Sequence, residues 1–287
     1  MRALRFILAI LILGIPLSAN AQNATFEVAA SNAILADLIK QVAGNKVKIK
    51  SIIPGNIDPH AFEISPKDVI QFKSTKMVVL NGLNFEPWAK RLIEAANYQG
   101  EVVIASKGIK ALKVRGSIDP HAWQDIENTL IYVSNIRDAL VKLDPKNRTS
   151  YEIGADLYIK DLKLLDSDMR KSFAQIPREN RNVVTSHEAF NYFSDAYGII
   201  FYAPQGVSFE TEASARDISK LIRQIKDLKI RAVFFEGTSS SQILKQVSKE
   251  TGVRIGGTLY SDNLDHSVTS YIAMMKHNQK TILGAIK

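Results

Sequence analysis

Two hydrophobic periods alternate along this chain. Short apolar runs at Phe26–Ala29, Met77–Leu80, Glu101–Ala105, Asn182–Thr185, Ile199–Tyr202, Ala232–Phe235 and Val253–Thr258 predict strands. Val47–Ile53 predicts a further strand in which apolar and basic positions alternate. Between the strands, apolar residues return at helical spacing. Ile126, Leu130, Val133, Ile136 and Leu140 mark one face of a helix. Ile34–Val42 reads as a helix capped by Asn32, and Pro66–Phe72 as one capped by Ser65 with proline in its first turn. Further helices are expected over Pro87–Ala96, Ala189–Tyr197, Ala215–Leu228, Ser240–Thr251 and from about Ser267 to the end.

The stretch Pro145–Gln175 breaks the alternation. After Pro145 it holds no further proline and a single glycine, Gly154, while Leu157, Leu164, Leu165 and Met169 recur at helical spacing. A helix of this length is about 45 Å long, and Ile176-Pro177 stops it. It suits a rigid connector between domains; a helix broken at Gly154 is the competing reading. Strands separated by helices imply parallel sheets covered on both faces. The expected fold is therefore α/β, with two lobes, each a parallel sheet flanked by helices, joined by a long rigid helix. The expected boundaries are a first lobe over 22–144, the connector over 145–176 and a second lobe over 177–287.

Residues 1–21 stand apart. Arg2 and Arg5 precede the apolar run Phe6–Leu17, and Ala19-Asn20-Ala21 forms a small-x-small cleavage site, so this segment reads as a secretory signal peptide. The run is too short to span a bilayer, and no second apolar run of about 18 residues follows. Of the 287 residues, 46% are hydrophobic and 23% charged, which excludes a disordered or collagen-like chain. The chain has no cysteine. That excludes disulfides, thiolate-ligated zinc, iron–sulfur clusters and a cysteine nucleophile. It also excludes lipid attachment through cysteine, so a soluble periplasmic protein rather than a lipoprotein is expected. The formal charge of +8 invites a nucleic-acid reading. The lysines, however, lie among acids, as in Lys160-Asp161-Leu162-Lys163, and no basic run is interleaved with aromatics. A solvated surface is the better account, and no nucleic-acid partner is expected.

The chemistry concentrates at strand ends. His60 closes Gly55-Asn56-Ile57-Asp58-Pro59-His60, just past the strand Val47–Ile53. His121 closes a second Asp-Pro-His, Asp119-Pro120-His121, and His187 sits where the strand Asn182–Thr185 turns into a helix. Asp262 follows the strand Val253–Thr258. Ligands of open parallel sheets bind beyond the carboxyl ends of the strands. The repeated Asp-Pro-His stiffens the loop that presents each imidazole, and Asp58 and Asp119 can hydrogen-bond to backbone or ring nitrogen. Three imidazoles and one carboxylate suit Zn²⁺, and Mn²⁺ or Fe²⁺ if the carboxylate is bidentate. Glu63, Glu188, Glu210 and Asp265 are further candidates near these motifs, and Asp265 is the rival of Asp262 for the carboxylate position. His266 and His277 read as surface residues, and Trp88 and Trp123 as packing.

These motifs, in this order, resemble the metal-binding solute receptors of bacterial ABC importers for zinc and manganese, the ZnuA/TroA-like group. The resemblance rests on Asp58-Pro59-His60 with Phe62-Glu63 and Ser65-Pro66, on Asp119-Pro120-His121-Ala122-Trp123, on Ser186-His187-Glu188-Ala189-Phe190 with Tyr192-Phe193 and Tyr197-Gly198, and on Leu259-Tyr260-Ser261-Asp262. It implies two α/β lobes about a long helix, with the metal held between them by His60, His121, His187 and Asp262. It also implies delivery of the ion to a membrane permease driven by a cytoplasmic ATPase, by a receptor expected to act as a monomer.

Three histidines with one aspartate tilt the set toward Zn²⁺. Manganese-type relatives often carry glutamate where His187 stands. Against zinc, the segment Lys113–Ile118 is short and lacks the histidine-rich loop of many zinc receptors, and Asp-Pro-His-Ala-Trp and Leu-Tyr-Ser-Asp look more like the manganese branch. Both ions are expected to bind. Two rival readings are a secreted zinc hydrolase and an adhesin with incidental metal binding. The hydrolase is disfavoured because four protein ligands close the site to water and no His-Glu-x-x-His helix is present.

Overall fold

The first sheet is built from β1 (Phe26–Ala30), β2 (Val47–Ser51), β3 (Met77–Leu80) and β4 (Glu101–Ile104), all parallel, in the order β2-β1-β3-β4. Helices α1 (Ala33–Ala43), α2 (Pro66–Lys73) and α3 (Ala89–Ala95) connect these strands. A small antiparallel hairpin, β5 (Lys113–Val114) and β6 (Ser117–Ile118), follows, then α4 (Ile126–Leu143) and α5 (Arg148–Ala174). The second sheet contains β7 (Asn182–Val184), β8 (Ile200–Tyr202), β9 (Ala232–Glu236) and β10 (Arg254–Leu259), in the order β10-β9-β7-β8 and again parallel. Its helices are α6 (Asn191–Tyr197), α7 (Ala215–Asp227), α8 (Gln242–Thr251) and α9 (Tyr271–Ile286). This computed structural model describes residues 25–53, 57–207, 213–237 and 242–287. The expected signal peptide lies outside the described residues, as do the first two residues expected for the helix from Ser240.

Counted within its own lobe, each sheet has the strand order 2-1-3-4. Connections leave the first strand in opposite directions, which opens a crevice at the carboxyl ends of the strands. The strands read as continuous apolar runs because both faces are covered. In the first sheet Val28, Ala30, Met77 and Val79 join the large core with α1, α4 and α5, while Ala29, Val78 and Leu80 face Phe72, Trp88 and Leu92 on the other side. In the second, Val183, Ala232 and Phe234 belong to the same large core, and Val184 and Val233 meet Leu221, Ile225 and Val247. One apolar core thus runs through both lobes.

The cap signals in the sequence operate as read. Asn32 accepts the Leu35 amide at 2.9 Å, and Ser65 forms a reciprocal capping box with Asp68 ahead of Pro66. The connector differs in detail. Residues 145–147 form a 3₁₀ turn, and the α-helix itself spans 27 residues, about 40 Å. It is not a bare strut, because it packs on α1, α4, α6 and α9. Its buried face is Tyr151, Ala155, Tyr158, Leu162, Leu165, Met169 and Phe173. Leu157 and Leu164, expected on the apolar face, are 60% and 63% exposed. The four leucine and methionine positions mix two faces, and the aromatic residues set the true one.

Helix α5 runs unbroken through Gly154. A Cβ there would collide with the Val42 carbonyl oxygen and come within 3.1 Å of that of Gln41, at the end of α1. Glycine is present because two helix backbones cross there. Alanine in a helix interior is ordinarily about 1 kcal/mol better than glycine. At Gly154 the sign should reverse: Gly154→Ala is expected to destabilise by about 1–3 kcal/mol through overpacking, read from the denaturant midpoint. A stabilised variant would contradict the close crossing.

Candidate metal centre

Each candidate ligand is aimed by its local backbone. In both Asp-Pro-His segments the aspartate accepts the histidine amide two residues on, His60 N to Asp58 Oδ1 at 2.9 Å and His121 N to Asp119 Oδ1 at 3.0 Å. The intervening proline fixes φ and the carboxylate closes the turn, so the imidazole leaves a stiff loop. The Trp88 indole N–H donates to the Pro59 carbonyl at 3.3 Å and holds the His60 loop from below. His187 follows β7. Its amide and that of Ser186 donate to Glu236 Oε1, at 3.0 and 2.7 Å, at the end of β9. Asp262 follows β10, and its segment is gripped by the first lobe: Trp123 Nε1 and Gln124 Nε2 both donate to the Ser261 carbonyl, at 2.8 and 2.9 Å.

The four side chains converge. One ligand atom from each of His60, His121, His187 and Asp262 lies within 4.8 Å of the others, and all four residues are buried. His121 Nε2 is 3.0 Å from Asp262 Oδ1, and His187 Nε2 is 3.4 Å from Asp262 Oδ2. The other ring nitrogens of these two histidines face carboxylates: His121 Nδ1 is 2.7 Å from Asp119 Oδ1, and His187 Nδ1 is 2.7 Å from Glu236 Oε2. Such partners fix the ring orientation and leave Nε2 facing the centre. His60 Nε2 is buried with no hydrogen-bond partner among the described residues. Phe85 stands edge-on to His60 and Trp123, with ring centroids at 4.9 and 5.0 Å, and forms an apolar wall.

Of the remaining candidates, Asp58 and Asp119 hold the two loops as described, and Asp119 Oδ2 also accepts from Asn191 Nδ2 at 3.0 Å. Glu63 is exposed. Glu188 turns to Arg115, whose Nε it meets at 2.9 Å. Asp265 is exposed and accepts from Tyr260 Oη and the amides of Ser267 and Val268, so Asp262 supplies the carboxylate of the cluster. Glu210 lies outside the described residues. His266 is exposed, and His277 Nε2 lies 2.9 Å from the Thr258 carbonyl oxygen, apart from the cluster. Sequence reasoning missed Glu236 and Asn191. The signal for Glu236 was a carboxylate ending the buried run Ala232–Glu236, where a charge needs a partner.

Burial pulls the His60 imidazole down to about 3, helped by repulsion from His121 and His187 and resisted by Asp262. Burial also pulls on His121, but Asp262 and Asp119 outweigh it and raise its pKa to about 10. His187 is likewise raised, with Glu236 and Asp262 overcoming burial. Burial disfavours the Asp262 anion, yet His187 and His121 hold its carboxyl well below the usual range.

A family model described as "Zinc-uptake complex component A periplasmic" matches residues 28–285. The manganese ABC transporter substrate-binding lipoprotein PsaA of Streptococcus pneumoniae is 32% identical over 279 residues, covering 92% of this chain and 90% of its own. The manganese-binding lipoprotein MntA of Halalkalibacterium halodurans is 34% identical over 265 residues, covering 91% and 88%. Among solved structures, the periplasmic zinc-binding protein TroA of Treponema pallidum aligns with a TM-score of 0.87 at 29% identity, over 91% of this chain and 99% of its own. A manganese-bound periplasmic metal-binding protein of Candidatus Liberibacter asiaticus aligns with a TM-score of 0.82 at 25% identity, over 92% and 100%.

Two neighbouring histidines, with ring centroids 5.4 Å apart, should have pKa values displaced in opposite directions. In metal-free protein at pH 7, nitrogen-15 NMR of the imidazoles should find His121 cationic and His60 neutral. Stability held by the His121 proton is complete below the ordinary histidine value of 6.5 and is lost as pH rises through about 10. A neutral His121 at pH 7 would contradict this electrostatic reading.

Proposed function

Because the chain belongs to the zinc-uptake complex component A family of metal-transporter substrate-binding proteins, we propose that it captures one divalent transition-metal ion, Zn²⁺ or Mn²⁺, between its lobes and hands it to an ABC permease. The observation that carries this reading is the convergence of His60, His121, His187 and Asp262 within 4.8 Å, all buried. Three imidazoles and one carboxylate form a borderline donor set that takes Zn²⁺ in tetrahedral geometry, and Mn²⁺ with a bidentate carboxylate. Asp119 and Glu236 increase the basicity of the two imidazoles they hold. Four protein donors leave no position for a reactive water, so the site suits a carrier and not a hydrolase. The lobes over 22–144 and 177–287 act as two jaws about the 145–176 helix. A chain with no cysteine among its 287 residues fits a soluble periplasmic carrier, unlike the relatives named as lipoproteins.

Calorimetry of metal-stripped protein should show one saturable site for each ion. Zn²⁺ should bind more tightly than Mn²⁺, as the order of divalent affinities requires. Absence of saturable binding by either ion would overturn the reading. His187→Ala should weaken Zn²⁺ by more than about 100-fold with the fold retained, while Glu236→Gln should cost about 10- to 100-fold, the range for losing an outer partner. Equal effects of zero would remove both residues from the site.

Binding must displace the His121 proton, so affinity should rise with pH from 5 through 8, with net proton release at pH 7. The release is read from the dependence of binding heat on buffer ionisation enthalpy. Affinity independent of pH over that interval would contradict the ligand set.

A further inference from the structure

The β5–β6 hairpin leaves the first lobe and reaches the second. Its turn, Arg115-Gly116, has both residues at positive φ, 49° and 86°, as a tight hairpin turn of this hand requires. At its base Asp119 N donates to the Leu112 carbonyl at 3.0 Å, and Leu112 N donates to Tyr192 Oη at 2.9 Å. At its tip Arg115 Nε donates to Glu188 Oε1 at 2.9 Å and Nη2 donates to the Ala203 carbonyl at 3.1 Å, both in the second lobe. The base therefore carries Asp119, which holds His121, and the tip grips the residue next to His187. Between them Lys113, Ser117 and Ile118 line, with His60 and Val207, a cleft of about 570 Å³.

We propose that this hairpin is a strap across the mouth of the metal site and that Arg115 is the positioning residue that fastens it, setting how fast the ion enters and leaves. The proposal rests on the metal-capture reading above. A guanidinium presents two donors in a fixed fork, which matches one carboxylate and one carbonyl at once. Glu188 is held ready to receive it: its amide donates to the Gly206 carbonyl at 2.9 Å, and Asn191 Nδ2 donates to its carbonyl at 3.1 Å. Asp217 at the start of α7, whose carboxyl is held low first by the Ser214 hydroxyl, also feels the Arg115 charge. The Arg115 side chain is 47% exposed and that of Glu188 16%. A half-exposed ion pair is weak enough to open reversibly. None of the strap's bonds uses a ligand atom, so the strap closes over an empty or a loaded site alike. Its loss must therefore speed entry and exit together.

The test is stopped-flow kinetics with Zn²⁺, read by tryptophan fluorescence, because Trp123 lies 5.4 Å from His121 between ring centroids. Association is followed directly and release by mixing loaded protein with excess chelator. Arg115→Gln should raise both rate constants by about 2- to 5-fold, the range set by losing one part-exposed ion pair, with Kd changed by less than about 1.5-fold. Arg115→Lys, which keeps the charge but not the fork, should fall between. Lys113→Gln removes a positive charge from the same mouth without touching the clasp, and should raise association alone. Faster release with unchanged association and a proportionally weaker Kd would mean that Arg115 only shapes His187, and would overturn the strap. Unchanged rates in Arg115→Gln would overturn it as well. If wild-type protein binds no Zn²⁺, the capture reading fails and the strap fails with it.

Discussion

Asp262 is a carboxylate with 1% exposure, set at the boundary between two lobes. An isolated buried charge costs several kcal/mol, so it must be matched. The match comes from both sides: His121 reaches it from the first lobe and His187 from the second. This requirement locks the lobes in register. Trp123 and Gln124 of the first lobe hold the Ser261 carbonyl, Asp37 of α1 accepts the Tyr271 amide, and Tyr271 Oη donates to the Trp123 carbonyl. The helices behind this boundary form one continuous apolar core, so the loops that carry the four donors share a common frame.

The four donors do different work. His121 and Asp262 sit in the cross-braced rear of the site. His60 sits at the mouth, on a loop held within its own lobe by Trp88 and Asp58. His187 is fixed by Glu236 and lies beside the hairpin tip. A site divided in this way is complete only while the two lobes are held in register.

Much of this was legible in the sequence. The first Asp-Pro-His, a histidine at a strand-to-helix turn and an aspartate after the last strand lie past carboxyl strand ends, the second Asp-Pro-His lies in a loop before a helix, and the parallel order of both sheets follows from alternating periods. Other features were hidden because they depend on tertiary neighbours. Glu236 reads as the end of a strand until its distance to His187 is known. Lys113–Ile118 reads as a short loop, since two-residue strands carry no usable period. On α5, leucine spacing misled because tyrosine, alanine and phenylalanine line the buried face. Gly154 left a broken helix as a competing reading and is a crossing, a distinction that rests on the position of the Val42 carbonyl.

The most direct measurement is anomalous diffraction from crystals loaded with Zn²⁺ and, separately, with Mn²⁺. One strong peak is expected for each ion, about 2.0–2.2 Å from Nε2 of His60, His121 and His187 and from an oxygen of Asp262 for zinc. A peak elsewhere, or one bonded to two or fewer of these four residues, would contradict the account.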